Sequence, residues 1–205
     1  VDGLVMSGED FRQATKRGYD YSFIDELPNS RNLEGYLFPD TYRVFEDVTP
    51  DELVKKMLNT LDEKVTKEDE QVIEDSGRTF DEVVILASIL ERELITLEDR
   101  KLGADVFLKR LDNGIGLQAD STVNYITKKK TPSVSFSDLE IDSPYNTYKY
   151  RGLPPGPISN PGSDSLEAAI YPTSNQYFYF LTTPEGEAIF NTNLEGHNAS
   201  KAKYY

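Results

Sequence analysis

Glu91 stands at the end of a run, Val83-Val84-Ile85-Leu86-Ala87-Ser88-Ile89-Leu90, that is apolar on every side except Ser88. A helix apolar all round is a buried one. Glu91 is therefore delivered where a buried helix emerges, on the side of Phe80, Val84, Ala87 and Ser88. A carboxyl against apolar neighbours is desolvated, which raises its pKa and lets it donate a proton near neutral pH. The competing reading is a surface glutamate paired with Arg92 or Arg100. Glu93 is the next carboxylate and points roughly 160° away, at about 100° per helical residue.

Two loops offer polar groups. Leu117-Gln118-Ala119-Asp120-Ser121 gathers an amide, a carboxylate and a hydroxyl, a set that can bind sugar hydroxyls. The same residues can be a turn in which Asp120 caps the helix that follows. Asn146, Thr147 and Tyr148 precede a loop from Gly152 to Gly162 rich in Pro and Gly. They read either as a polar and aromatic binding wall or as side chains that cap loop backbone. The Pro/Gly loop suits a preorganised groove wall or a rigid connector, and its length implies that something holds it. His197 is the single histidine and no Ser lies in a nucleophile-elbow sequence, so a Ser-His-Asp triad has little to stand on. The absence of Cys removes thiolate metal sites, disulfides and cysteine nucleophiles.

The elements that must position these groups are mostly helices. Thr49-Pro50-Asp51-Glu52 and Thr79-Phe80-Asp81-Glu82 are capping boxes, with Pro50 suited to a first helical position. Leu53, Met57, Leu58 and Leu61 then recur at helical spacing. Further helices are expected near Lys67 to Asp75, Glu98 to Leu111, Ser121 to Thr127, Ser135 to Leu139 and Ser165 to Ile170. Residues 32–44 are aromatic and β-prone, an extended chain with a turn at Gly35 and Pro39. Tyr177 to Leu181 and Ala188 to Phe190 flank Pro184-Glu185-Gly186 as a hairpin. The expected fold class is α+β: a helical core with a buried central helix carrying Glu91, β-strands to either side and a C-terminal hairpin.

The 205 residues suit one domain with at most a small appendage. With 22 basic and 36 acidic side chains the net charge is −14. That argues against nucleic acid and against docking on anionic lipid, both of which need a basic face. It favours a neutral ligand or a basic partner. The Lys128-Lys129-Lys130 run reads as a solvated turn, and no apolar run approaches the ~20 residues of a membrane span.

Several blocks, taken in order, resemble a known family. They are Leu33-Glu34-Gly35-Tyr36-Leu37-Phe38-Pro39-Asp40-Thr41-Tyr42, Ala87 to Glu93, Leu117 to Thr122, Tyr145-Asn146-Thr147-Tyr148, Gly152 to Ile158, Asn160-Pro161-Gly162, and Phe190 to Asn193 with His197-Asn198. This wording is similar to the YceG-like family of endolytic murein transglycosylases. The resemblance implies an enzyme that cuts peptidoglycan glycan strands between N-acetylmuramic acid and N-acetylglucosamine, leaving 1,6-anhydro ends. It carries the catalytic role onto Glu91 and makes Gln118, Asp120, Asn146, Thr147 and Tyr148 groove residues. It also implies a membrane anchor absent from this chain, a location on the outer face of the bacterial cell membrane, and work beside peptidoglycan synthases. No cofactor or metal is implied. Residues 1–30 are expected to be a remnant of a LysM-like subdomain or a linker, and residues 31–205 the catalytic domain. A non-catalytic glycan-binding module, a synthase-recruiting scaffold and a hydrolase remain the rivals, separable by what the protein binds and releases.

Overall fold

Two short helices, α1 (Gly8–Ala14) and α2 (Ser22–Asp25), are followed by three longer ones that start alike. Thr49, Thr66 and Thr79 cap α3 (Pro50–Lys64), α4 (Lys67–Asp75) and α5 (Phe80–Glu93). Each threonine accepts the N–H of the third helical residue, whose own carboxylate accepts the threonine N–H. Such caps contribute about 1 kcal/mol each. The order continues with α6 (Leu97–Asp112), α7 (Asp120–Thr127), α8 (Phe136–Leu139), α9 (Ser163–Ile170), strands β1 (Tyr179–Thr182) and β2 (Ala188–Asn191), and α10 (Leu194–Tyr204). This computed structural model describes residues 6–16, 18–25, 27–28, 31–129 and 134–205. The expectation for Lys130, and part of that for residues 1–30, lies outside them.

Helix α5 is the centre of the molecule. Every residue from Val83 to Leu90 is buried, as its all-round apolar sequence requires. Helices α9, α6 and α7 pack around it, with α4 at its start. Ser88, the one polar residue in the run, has a specific use. Its Oγ accepts the Ile158 N–H at 3.0 Å, and its carbonyl accepts the Ser159 hydroxyl at 3.0 Å. This is what holds the Pro/Gly loop against the core. The loop is also tied to Gly35, whose N–H donates to Asn160 Oδ1 at 2.6 Å. Gly35 has φ +94°, and a Cβ there would lie 2.3 Å from Pro157 Cγ, so the turn needs glycine on both counts.

Residues 32–44 form the expected extended chain with a turn at Glu34 to Tyr36, but make no strand pairing. Leu33, Tyr36, Leu37 and Phe38 are buried in the core instead. Their β-prone character is satisfied by packing rather than by a ladder. Among the described residues the only sheet is the antiparallel hairpin, in which Phe180 pairs with Phe190 and Leu181 with Ile189. Ala14 and Tyr19 belong to the same core as α5, so the described part of residues 1–30 packs directly on the rest. Helix α10 was not foreseen. It lies on the hairpin with no buried residue, so it has no apolar stripe to announce it. Its readable signal was Asn193, which caps it by accepting the Gly196 N–H at 2.8 Å. No helix among the described residues is long and apolar enough to cross a membrane.

Candidate active site

The two glutamates at the end of α5 point into different surroundings. Glu91 Oε2 accepts the Gly162 N–H at 3.1 Å and the Ser165 hydroxyl at 2.8 Å. Its Oε1 pairs with Arg100 Nη2 at 3.3 Å. Gly162 is the N-cap of α9 and has no side chain to cap with, so Glu91 supplies the missing acceptor. The expected apolar surroundings are therefore corrected: donors surround Glu91. The pairing with Arg100, the competing reading of the sequence, is present. Phe80, Val84 and Ala87 do lie on its side of the helix, but the start of α9 and the Arg100 guanidinium cover its head.

Glu93 turns to the other side. Its Oε1 accepts the Ser121 N–H at 2.9 Å, at the start of α7. Helix α7 also lacks a side-chain cap of its own. Asp120 is the first residue of that helix, and its Oδ1 accepts the Tyr148 hydroxyl at 2.5 Å. Thr182, at the end of β1, donates its hydroxyl to the Glu93 carbonyl at 2.9 Å. Burial pushes the Glu93 carboxyl up from its ordinary value, and the negative Asp120 adds to this. The Ser121 hydroxyl and amide, with Arg92, pull the other way. Asp120 is also pushed up by burial, against its Tyr148 hydrogen bond and the Lys201 charge. The Tyr148 phenol is driven well above its usual range by burial and by Asp120, and so stays a proton donor in its hydrogen bond.

Gln118 borders this cluster. It is exposed and takes the left-handed conformation, φ +52°, uncommon for a residue other than glycine. Its Oε1 accepts from Arg110 Nη2 at 2.7 Å, and its N–H donates to the Thr147 carbonyl at 3.2 Å. Arginine only donates, so the Gln118 oxygen must face it, which leaves the NH₂ to face outward. Arg110 is 7% exposed and also donates to the Gly116 carbonyl at 2.9 Å, with its guanidinium 5.4 Å from the Tyr179 ring centre.

Asn146 and Thr147 do not line a groove. They are 0% and 1% exposed. Asn146 Nδ2 donates to the carbonyls of Leu139 and Ile141, both at 2.9 Å. Thr147 Oγ1 accepts the Ala119 N–H at 3.0 Å and shares a 2.9 Å contact with Thr122 Oγ1. Both satisfy backbone, the second of the two readings the sequence allowed. They brace the loop that carries Gln118, Asp120 and Tyr148. The structure thus brings together three of the expected site residues, adds Glu93 and Arg110, and sets Glu91 apart from them. His197 stacks on Tyr179 at 5.4 Å, and burial lowers its pKa. Among the described residues no group of three or more His, Asp or Glu is arranged to hold a metal.

A model of the YceG-like family matches residues 5–203. The chain belongs to that family. A protein of Bacillus subtilis (strain 168) named endolytic murein transglycosylase is 40% identical over 173 residues, covering 84% of this chain and 48% of that protein. A protein of the same name from Streptococcus pneumoniae serotype 2 (strain D39) is 36% identical over 178 residues, covering 84% of this chain and 32% of that one. The chain thus spans half or less of the length of these relatives. The crystal structure of a YceG-like protein from Listeria monocytogenes aligns with a TM-score of 0.83 at 33% identity, over 95% of this chain and 68% of that one. The YceG-like fold here is accordingly the mixed helical core with its small hairpin.

Proposed function

We propose that this YceG-like chain is the catalytic part of an endolytic transglycosylase acting on peptidoglycan glycan strands, with Glu93 as its acid and base. The relatives' shared name supports the activity. The observation that carries the residue is the company Glu93 keeps: burial and Asp120 favour its protonated form, Tyr148 joins Asp120 beside it, and Gln118 lies on the same loop as Asp120. Glu91, by contrast, is engaged by three donors that join α5 to α6 and α9.

The proton-bearing Glu93 carboxyl protonates the glycosidic oxygen between N-acetylmuramic acid and N-acetylglucosamine, and the C1–O bond breaks through an oxocarbenium-like state. The muramyl C6 hydroxyl then attacks C1. Glu93, now a carboxylate, takes the hydroxyl proton and is restored. A 1,6-anhydro end forms and no water is consumed. In this reading the Gln118 NH₂ donates to a substrate oxygen, and the Asp120–Tyr148 pair keeps negative charge near the developing cation. The enzyme works outside the cytoplasmic membrane, where its polymer lies, held there by an anchor and acting beside peptidoglycan synthases.

Digestion of peptidoglycan by wild type, Glu93→Gln and Glu91→Gln, read by mass spectrometry, tests this. Anhydro-ended fragments from wild type and Glu91→Gln, with none from Glu93→Gln, support it. Loss in Glu91→Gln alone returns the role to Glu91. Reducing ends would mean a hydrolase.

A further inference from the structure

A small concave site lies among residues that do not include Glu93. About 150 Å³ of open space is bounded by Arg31, Glu34, Tyr125, Tyr145, Gly156 and Pro157. It exists because residue 156 has no side chain. A Cβ there would stand 3.0 Å from the Tyr145 hydroxyl and 3.2 Å from Arg31 Nε. The rings of Tyr125 and Tyr145 pack with centroids 5.0 Å apart. The Tyr125 hydroxyl donates to Glu34 Oε2 at 2.6 Å. Arg31 Nη1 is held by both oxygens of Asp81, at 2.8 and 2.6 Å. Arg31 Nη2 is buried with no hydrogen-bond partner among the described residues, a costly state that a nearby acceptor would relieve.

These groups select a chemistry. Asp81 already neutralises Arg31 and Glu34 adds a negative charge, so a free anion is disfavoured. A cation would meet the Arg31 guanidinium. What fits is a small neutral group with one acceptor, one donor and an apolar edge, which describes a secondary amide. Its carbonyl would face the Tyr145 hydroxyl and the Arg31 edge, its N–H would face Glu34, and its apolar part would lie against Pro157 and the tyrosine rings. The elements that line the cavity also carry residues of the Glu93 cluster. Tyr125 lies five residues, about 7.5 Å of helix, along α7 from Asp120, and Tyr145 shares the loop that carries Tyr148.

We propose that this cavity is a subsite for a secondary amide of the strand being cut: the acetamido group of an N-acetylated sugar or an amide of its stem peptide. The inference rests on the glycan-cleaving reading above. It is tested by NMR titration with N-acetylated chitotetraose, its fully de-N-acetylated counterpart and a stem tetrapeptide. The acetylated sugar should shift the Gly156 and Tyr145 amides, and the de-N-acetylated sugar should not. Gly156→Ala fills the space and should weaken binding about tenfold, the scale of one well-made hydrogen bond. Thermal melting confirms that it folds. Tyr145→Phe keeps the ring and should weaken binding severalfold. Gly156-dependent binding of the tetrapeptide instead would name the stem peptide as the source. Equal binding of both sugars with none of the peptide, or affinity indifferent to both substitutions, overturns the subsite. If strands are still cleaved in that case, the transglycosylase reading stands without it. Gly156-dependent amide binding in a protein that cleaves nothing would keep the subsite and remove that reading.

Discussion

Glu91 and Glu93, two residues apart at the end of α5, cap two different helices: Glu91 accepts the Gly162 N–H that opens α9, and Glu93 the Ser121 N–H that opens α7. Neither helix has a side-chain cap of its own. A carboxylate at a helix N-terminus is favourable in both cases. The difference lies in what else each meets. Glu91 adds a guanidinium and a hydroxyl, whereas Glu93 adds a second carboxylate and a tyrosine hydrogen-bonded to it.

The two should respond oppositely to the same substitution. Glu93→Gln is expected to lower cleavage by roughly 10²–10⁴, the usual contribution of a general acid. Its raised pKa means that the protonated form favours the fold, an advantage lost as pH rises through that pKa. The neutral Gln removes this penalty, so Glu93→Gln should melt at or above wild type at neutral pH. Glu91→Gln should retain cleavage and lose about 1–3 kcal/mol, because Arg100 and the start of α9 lose a charged acceptor. Melting curves and fragment yields on both variants decide it.

Asp120 should help to set the pH range of activity. Burial first raises the Glu93 pKa above the ordinary 4.5, and the Asp120 charge adds to it. The acid form is the one that starts the reaction, so kcat/KM should fall as pH rises through that pKa. Asp120→Asn keeps an acceptor for Tyr148 but removes the charge. The alkaline limb of the profile should therefore move to lower pH. A shift to higher pH, or none, would break the coupling between the two carboxyls.

Much of this arrangement was legible in sequence, and the parts that were not share a cause. The capping boxes at Thr49 and Thr79 and the apolar run at Val83 to Leu90 are local signals, and they located α3 and α5. The hairpin followed from its turn residues. Helical spacing also said that Glu91 and Glu93 diverge. It could not say what covers each face, since α9 and α7 arrive from 71 and 28 residues away along the chain. Asn146 and Thr147 were ambiguous for a similar reason: the groups they satisfy belong to other segments, the end of α8 with the residues after it and the N-cap of α7. Arg110 gave no sign because its partners, Gln118 and the Gly116 carbonyl, meet it only where the loop after α6 turns back along the helix.

Asn146 and Thr147 should behave as bracing residues. Thr147→Val removes the acceptor of the buried Ala119 N–H, which costs about 1–3 kcal/mol. Asn146→Ala strips donors from two carbonyls and should cost a similar amount. Below the melting temperature KM for strands should hardly change, because neither side chain reaches solvent. A large rise in KM with unchanged melting would instead make them contact residues.

Ser88 is the last test, and it separates the loop from the chemistry. Ser88→Ala leaves the Ile158 N–H buried beside an apolar methyl, at a cost of about 1–3 kcal/mol. The Ser159 hydroxyl still reaches the residue 88 carbonyl, so the loop should loosen rather than detach. Loosening at Ile158 acts first on Pro157 and Gly156, which line the small cavity, and only at a distance on Glu93. Amide hydrogen exchange should therefore rise at Ile158 while the Ser121 amide, held by Glu93, keeps its protection. Equal loss of protection at both would mean that the Pro/Gly loop and the start of α7 open as one unit, and the cavity could not then be altered independently of the acid.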